Sequence, residues 1–103
     1  KDITIQEFNN LISSKPGTIL DVRTPGEVSK GIIKEAVILD FFDDNFEAKV
    51  DKLDKTKPVY IYCASGGRSG EAIEIKKKKG FTELYNLAGG YNAWIKDQQK
   101  KKK

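Results

Sequence analysis

With 103 residues, 38% of them hydrophobic and 33% charged, the chain has the size of one domain and the composition of a globular protein. It has one cysteine and no histidine, which excludes an internal disulfide, Cys-His nucleophile pairs, Ser-His-Asp triads and His-ligated metal sites. The net charge of +4 draws on two lysine blocks, Lys76–Lys79 and Lys100–Lys103, which read as solvated charge and not as a nucleic-acid surface, where basic and aromatic residues would interleave across a face.

The elements follow a β-α alternation. TIQE at 4–7 fits a capping box that starts a first helix. TILDV at 18–22 is short, apolar and β-branched, as a strand buried on both faces would be. TPGE at 24–27 repeats the capping pattern, with Pro25 at the first helical position. AVIL at 36–39 predicts a further strand, followed by a helix over 43–53. Asp40, Asp43, Asp44 and Glu47 read as the acidic start of that helix in preference to a metal site. VYIYC at 59–63 predicts another strand, on which Tyr60 and Tyr62 alternate as packing residues, and a helix over 67–79 is closed by its lysines and Gly80. ELYNL at 83–87 adds a strand; Gly89-Gly90 then leads into an amphipathic turn in which Tyr91 and Trp94 pack. Residues 1–98 are expected to form the domain and 99–103 a disordered lysine-rich tail.

Alternation of this kind argues for a mainly parallel sheet covered on both faces, in which ligands bind beyond the carboxyl ends of the strands. Cys63 falls there. The residues between Cys63 and Arg68 are Ala64, Ser65, Gly66 and Gly67, small enough for the backbone to curl around the sulfur. Amide groups from Ala64 onward would then point inward, and the following helix would add its positive end, giving an anion cradle that favours thiolate over thiol. A tight turn without a ligand and a buried structural thiol are the competing readings. Without imidazole, attack on a sulfur whose leaving group is already a stable anion is the easier chemistry, whereas phosphate ester cleavage would need an Asp or Glu as proton donor.

Three segments in order resemble the single-domain rhodaneses, proteins of the thiosulfate sulfurtransferase type: DVRTPGEVSKGII at 21–33 with Ala36-Val37 following, YCASGGRS at 62–69, and GFTELYNLAGGYNAW at 80–94. The resemblance implies an α/β/α sandwich around a five-stranded parallel sheet. It implies further that Cys63 cycles between thiolate and persulfide, moving sulfane sulfur from a donor such as thiosulfate to cyanide or a thiol. By the same resemblance Ala64, Ser65, Gly66, Gly67 and Arg68 form the substrate cradle, Ser69 starts the helix behind it, and Asp21 and Arg23 support the loop. An ion pair from Arg23 to Glu27 at i,i+4 is expected. Ile32 stands where the family often has His. Ala64 stands where many members have Arg, so Arg68 is the only cation within the loop itself, which points to a less anionic donor or a protein persulfide.

Two alternatives are weighed against sulfur transfer: a rhodanese-like binding or regulatory module without turnover, and a phosphatase or arsenate reductase of the same fold. The latter have C-x5-R loops, one residue longer than the loop here. No cofactor or metal is implied. The expected partners are a small sulfur-containing anion or a protein persulfide or thiol, with no nucleic acid and no membrane, because the apolar runs fall short of the roughly 20 residues a span needs. A cytoplasmic location is favoured, with a processed periplasmic form left open.

Overall fold

A computed structural model of the chain describes residues 2–33, 35–64, 80–81 and 83–101. At its start, the Thr4 hydroxyl accepts from the Glu7 N–H at 3.2 Å, and the Glu7 carboxylate accepts from the Thr4 N–H at 3.0 Å. This reciprocal cap opens helix α1 (Ile5–Ser14), whose Phe8 is buried. Helix α2 (Pro25–Val28) begins in a related way, the Glu27 carboxylate accepting from both the N–H and the hydroxyl of Thr24.

Strands β1 (Asp2–Ile3), β2 (Thr18–Asp21), β3 (Val37–Ile38), β4 (Val59–Tyr62) and β5 (Leu84–Leu87) form one sheet in the order β1-β5-β4-β2-β3, and every pairing is parallel. All four residues of β4 are buried, as a strand flanked on both sides and covered on both faces requires. The five-stranded parallel α/β architecture expected from the resemblance is thus the one observed. The register sets Leu20 beside Ile61 and Asp21 beside Tyr62, bringing the ends of β2 and β4 level.

Side-chain alternation divides the core in two. Leu20, Val22, Val59, Ile61 and Cys63 pack with Phe46 and Val50 of helix α3 (Phe46–Asp51) and with Phe81. Tyr60, Tyr62 and Leu87 pack with Ile3, Phe8 and Ile33, and with Trp94 and Tyr91 of helix α4 (Gly90–Lys101). Period-two alternation is what sends residues 59, 61 and 63 to one side and 60 and 62 to the other.

Two elements differ from the sequence reading. β1 was not anticipated from local pattern: it is two residues long, and it is held by its ladder and by the Asn86 side chain donating to Asp2 at 3.0 Å. α3 starts at Phe46, not at 43, because Asp40 and Asp43 close turns, accepting from the N–H groups of Phe42 and Asn45. Asp43 also pairs with Lys49 at 2.6 Å. The helix expected over 67–79 lies outside the described residues. Among the described residues, no helix is long and apolar enough to cross a membrane.

Leu20 is fully buried between β4 and α3. Leu20→Ala is expected to lower the unfolding free energy by about 2–5 kcal/mol, the range for deleting a buried leucine side chain. Urea denaturation checks it; a loss below about 1 kcal/mol would show that this layer is not tightly packed.

Candidate functional site

Cys63 follows β4 directly and so sits beyond the carboxyl end of the central strand. It is 1% exposed and packs into the cluster of Leu20, Val22 and Phe81. Two backbone hydrogen bonds hold this point of the chain: the Tyr91 N–H donates to the Cys63 carbonyl at 2.7 Å, and the Asn92 N–H donates to the Ala64 carbonyl at 3.2 Å. Both donors belong to the first turn of α4, where helical N–H groups have no partner within the helix. Gly90 makes this approach possible. It takes φ +56°, and a Cβ there would overlap the Cys63 carbonyl oxygen and lie 2.8 Å from the Ala64 carbonyl carbon.

On the other side of the sheet, Asp21 and Arg23 form a buried ion pair, 0% and 3% exposed. The Arg23 backbone N–H and Nε donate to Asp21 Oδ1 at 2.9 and 3.0 Å, and the terminal Nη2 donates to Asp21 Oδ2 at 2.8 Å and to the Gly31 carbonyl at 2.5 Å. The guanidinium lies 4.1 Å from the centre of the Tyr91 ring. Burial alone would lower its pKa, but the hydrogen bonds to Asp21 and the charge behind them outweigh burial, so the pKa is raised. The expected i,i+4 partner of Arg23 is therefore replaced. Asp21 offers two oxygens two residues away, while the Glu27 carboxylate is engaged by Thr24 and contributes to Arg23 only its backbone carbonyl, at 3.5 Å.

Tyr62 completes this network. Its hydroxyl donates to Asp21 Oδ2 at 2.8 Å and accepts from the Ile33 N–H at 3.0 Å. Burial, with the carboxylate of Asp21 as a further cause, raises the phenol pKa well above its ordinary value, so the donating proton stays in place. Tyr91 stacks on Tyr62 and on Trp94, with centroids 6.2 and 5.6 Å apart. The Asp21 network and Cys63 lie on opposite sides of the sheet, and Tyr91 joins them: its ring covers Arg23 while its N–H holds the Cys63 carbonyl.

A cavity of about 320 Å³ opens between α2 and the start of α4, walled by Arg23, Glu27, Lys30, Ala64, Tyr91 and Asn92. Of the residues singled out from the sequence, Cys63, Ala64, Asp21 and Arg23 are gathered at this end of the sheet. Ser65, Gly66, Gly67, Arg68 and Ser69 lie outside the described residues. Sequence reasoning read Tyr62 and Tyr91 as packing alone and missed the contact made by Gly90. The Gly89-Gly90 pair was the available signal for the last; the Tyr62 bond to Asp21 spans 41 positions and leaves no local trace.

The sequence model of the Rhodanese-like domain matches residues 4–97. The chain belongs to the rhodanese-like family. A crystal structure of a rhodanese-like domain protein from Staphylococcus aureus superimposes with a TM-score of 0.80 at 35% identity, covering 91% of this chain and 90% of that one. A protein of Allochromatium vinosum named sulfurtransferase is 33% identical over 78 residues, 76% of this chain and 71% of its own length. A tRNA uridine(34) hydroxylase of Pelagibacter ubique is 36% identical over 97 residues, 93% of this chain. The chain spans only 32% of that relative, so there the rhodanese-like unit is one part of a longer protein.

Two outcomes follow from this geometry. Gly90→Ala is expected to lose about 1–3 kcal/mol from backbone conformation alone, before the overlap with the Cys63 carbonyl is counted; an unchanged thermal midpoint would contradict the close approach. A raised folded pKa at Tyr62 means that its stabilisation is complete below the unfolded value of 10.0 and is lost as pH climbs through the folded value. Urea midpoints are therefore expected to fall above about pH 10, and Tyr62→Phe to flatten that fall, Tyr60, also raised by burial, supplying the remainder. Equal alkaline slopes in both proteins would remove Tyr62 from this role.

Proposed function

We propose that the protein is a sulfurtransferase that accepts sulfane sulfur from a donor such as thiosulfate onto Cys63 and passes it to cyanide or a thiol. The observation that carries this reading is the position of Cys63, the chain's one cysteine: it directly follows the central parallel strand, its carbonyl is fixed by α4, and the chain has no imidazole. Membership of the rhodanese-like family and the sulfurtransferase among its relatives support it.

In the first half-reaction the Cys63 thiolate attacks the outer sulfur of thiosulfate. The S–S bond of the donor breaks, and sulfite leaves with the electron pair. In the second, cyanide or a thiolate attacks the outer sulfur of the Cys63 persulfide, and the Cys63 thiolate departs. Neither step requires a proton to be moved, which is why the absence of histidine is no obstacle. We assign Ala64, Ser65, Gly66, Gly67, Arg68 and Ser69 to the cradle around the transferred sulfur. Asp21 and Arg23 act at one remove, by fixing the ring of Tyr91 and hence the helix start that grips Cys63.

The 1% exposure of Cys63 favours a second reading, a binding module without turnover. One measurement separates the two. Intact-mass analysis after treatment with thiosulfate is expected to show the gain of one sulfur atom in the wild-type chain and none in Cys63→Ser. A gain retained by the serine variant would overturn the assignment of the nucleophile, and no gain in the wild type would leave the binding module.

A further inference from the structure

We propose that the cleft between α1 and α4 binds a small organic amine, its ammonium group at Glu35 and its apolar body against Trp94. The cleft has a volume of about 310 Å³, at the lower end of small-molecule sites. Its wall is drawn from α1, the turn before β2, β2 itself, the segment before β3 and α4. It opens on the side of the sheet where Ile33, Tyr62 and Trp94 pack, whereas Cys63 belongs to the other layer. The inference therefore stands apart from sulfur transfer.

The lining has two characters. Ile12, Ile19, Ile33 and Trp94 make much of it apolar. Trp94 is only half-buried although Tyr91 stacks on it, so indole surface remains for a ligand. The polar part is one-sided in charge. Among the described residues Glu35 is the one charged side chain in the wall, and its exposed carboxylate has no hydrogen-bond or ion-pair partner there. Its backbone takes φ +69°, in the left-handed region that residues other than glycine seldom occupy, so a carboxylate is held at this point against the local preference.

Helix α1 adds to the negative potential. Its last turn carries no basic residue, and the chain runs from that negative end into Pro16 and Gly17, which belong to the wall. Lys15, between them, is paired with Glu83. The cavity beside Ala64 differs in this respect, since Lys30 and Glu27 there oppose each other in sign. An apolar molecule would leave Glu35 unanswered, and an anion would be repelled by it. A cation with an apolar body satisfies both parts of the lining, and the enclosed volume restricts it to a compact compound, a primary amine bearing one ring.

Trp94 is the chain's one tryptophan, so its emission, excited where tyrosine does not absorb, reports this cleft directly. Three probes of similar shape differ in charge: phenethylamine is a cation at neutral pH, phenethyl alcohol is neutral and hydrocinnamate is an anion. The amine is expected to bind about fivefold more tightly than the alcohol, the size of one exposed charge contact, and hydrocinnamate more weakly than either. Glu35→Gln is expected to bring the amine to the affinity of the alcohol and to leave the alcohol unchanged. Gln98→Lys, which sets a cation in the same wall, is expected to weaken the amine in the same way. Raised salt shrinks the difference between amine and alcohol. Equal affinity of the two in the wild type, or a preference for the amine that survives Glu35→Gln, overturns the proposal. So does equilibrium dialysis that retains none of the amine, a measurement that does not depend on any change in Trp94 emission.

Discussion

The rest of this site depends on a guanidinium kept out of water. Placing an ion in a protein interior has a penalty of several kcal/mol unless nearly all of its hydrogen-bonding capacity is met. Arg23 meets it with both oxygens of Asp21 and carbonyls from the segment after β2, and an aromatic face closes the remaining side. Each of those partners comes from a different element: β2, the α2 turn and α4. None of the three can shift without leaving a buried charge unsatisfied, so the ion pair acts less as a source of net stability than as a constraint on where those elements meet.

That constraint reaches the cysteine through one residue. Tyr91 offers its ring to Arg23 and its amide to Cys63, and Gly90 removes the only side-chain atom that would keep the two backbones apart. The arrangement has an electrostatic consequence. The first-turn amides of α4 are directed at the carbonyls of Cys63 and Ala64, so the positive end of this helix is occupied by backbone.

Much of this was legible in the sequence because it is local. Capping boxes span four residues, buried strands announce themselves by β-branched runs, and both kinds of element appear where the pattern put them. The three ordered signatures marked the family and placed Cys63 at the end of a strand. What the pattern could not carry is pairing between distant positions. The partner of Arg23 was assigned by helical spacing to Glu27, yet α2 is only Pro25–Val28, too short to present Arg23 and Glu27 as neighbours on one helical face, and Asp21 was the better-placed carboxylate. The functions of Tyr62 and Tyr91 were hidden for a similar reason: an aromatic residue at an alternating or amphipathic position is already explained by packing, and nothing in its own segment shows that its polar atoms are used as well.

The burial of Cys63 bears on which chemistry the site can support. A phosphoryl or arsenate group reacts at its centre, so all of its oxygens must be brought alongside the nucleophile. Sulfane sulfur is terminal. In the sulfur transfer proposed above, it can be presented to a recessed thiolate on the end of a donor whose charged head stays outside. The persulfide proposed as the product of the first step would add one atom to the side chain and no charge-bearing oxygens. A nucleophile packed among Leu20, Val22 and Phe81 can accommodate that addition more readily than a tetrahedral oxyanion, so low exposure, which by itself favours a structural thiol, also selects among reactions if the thiol is used.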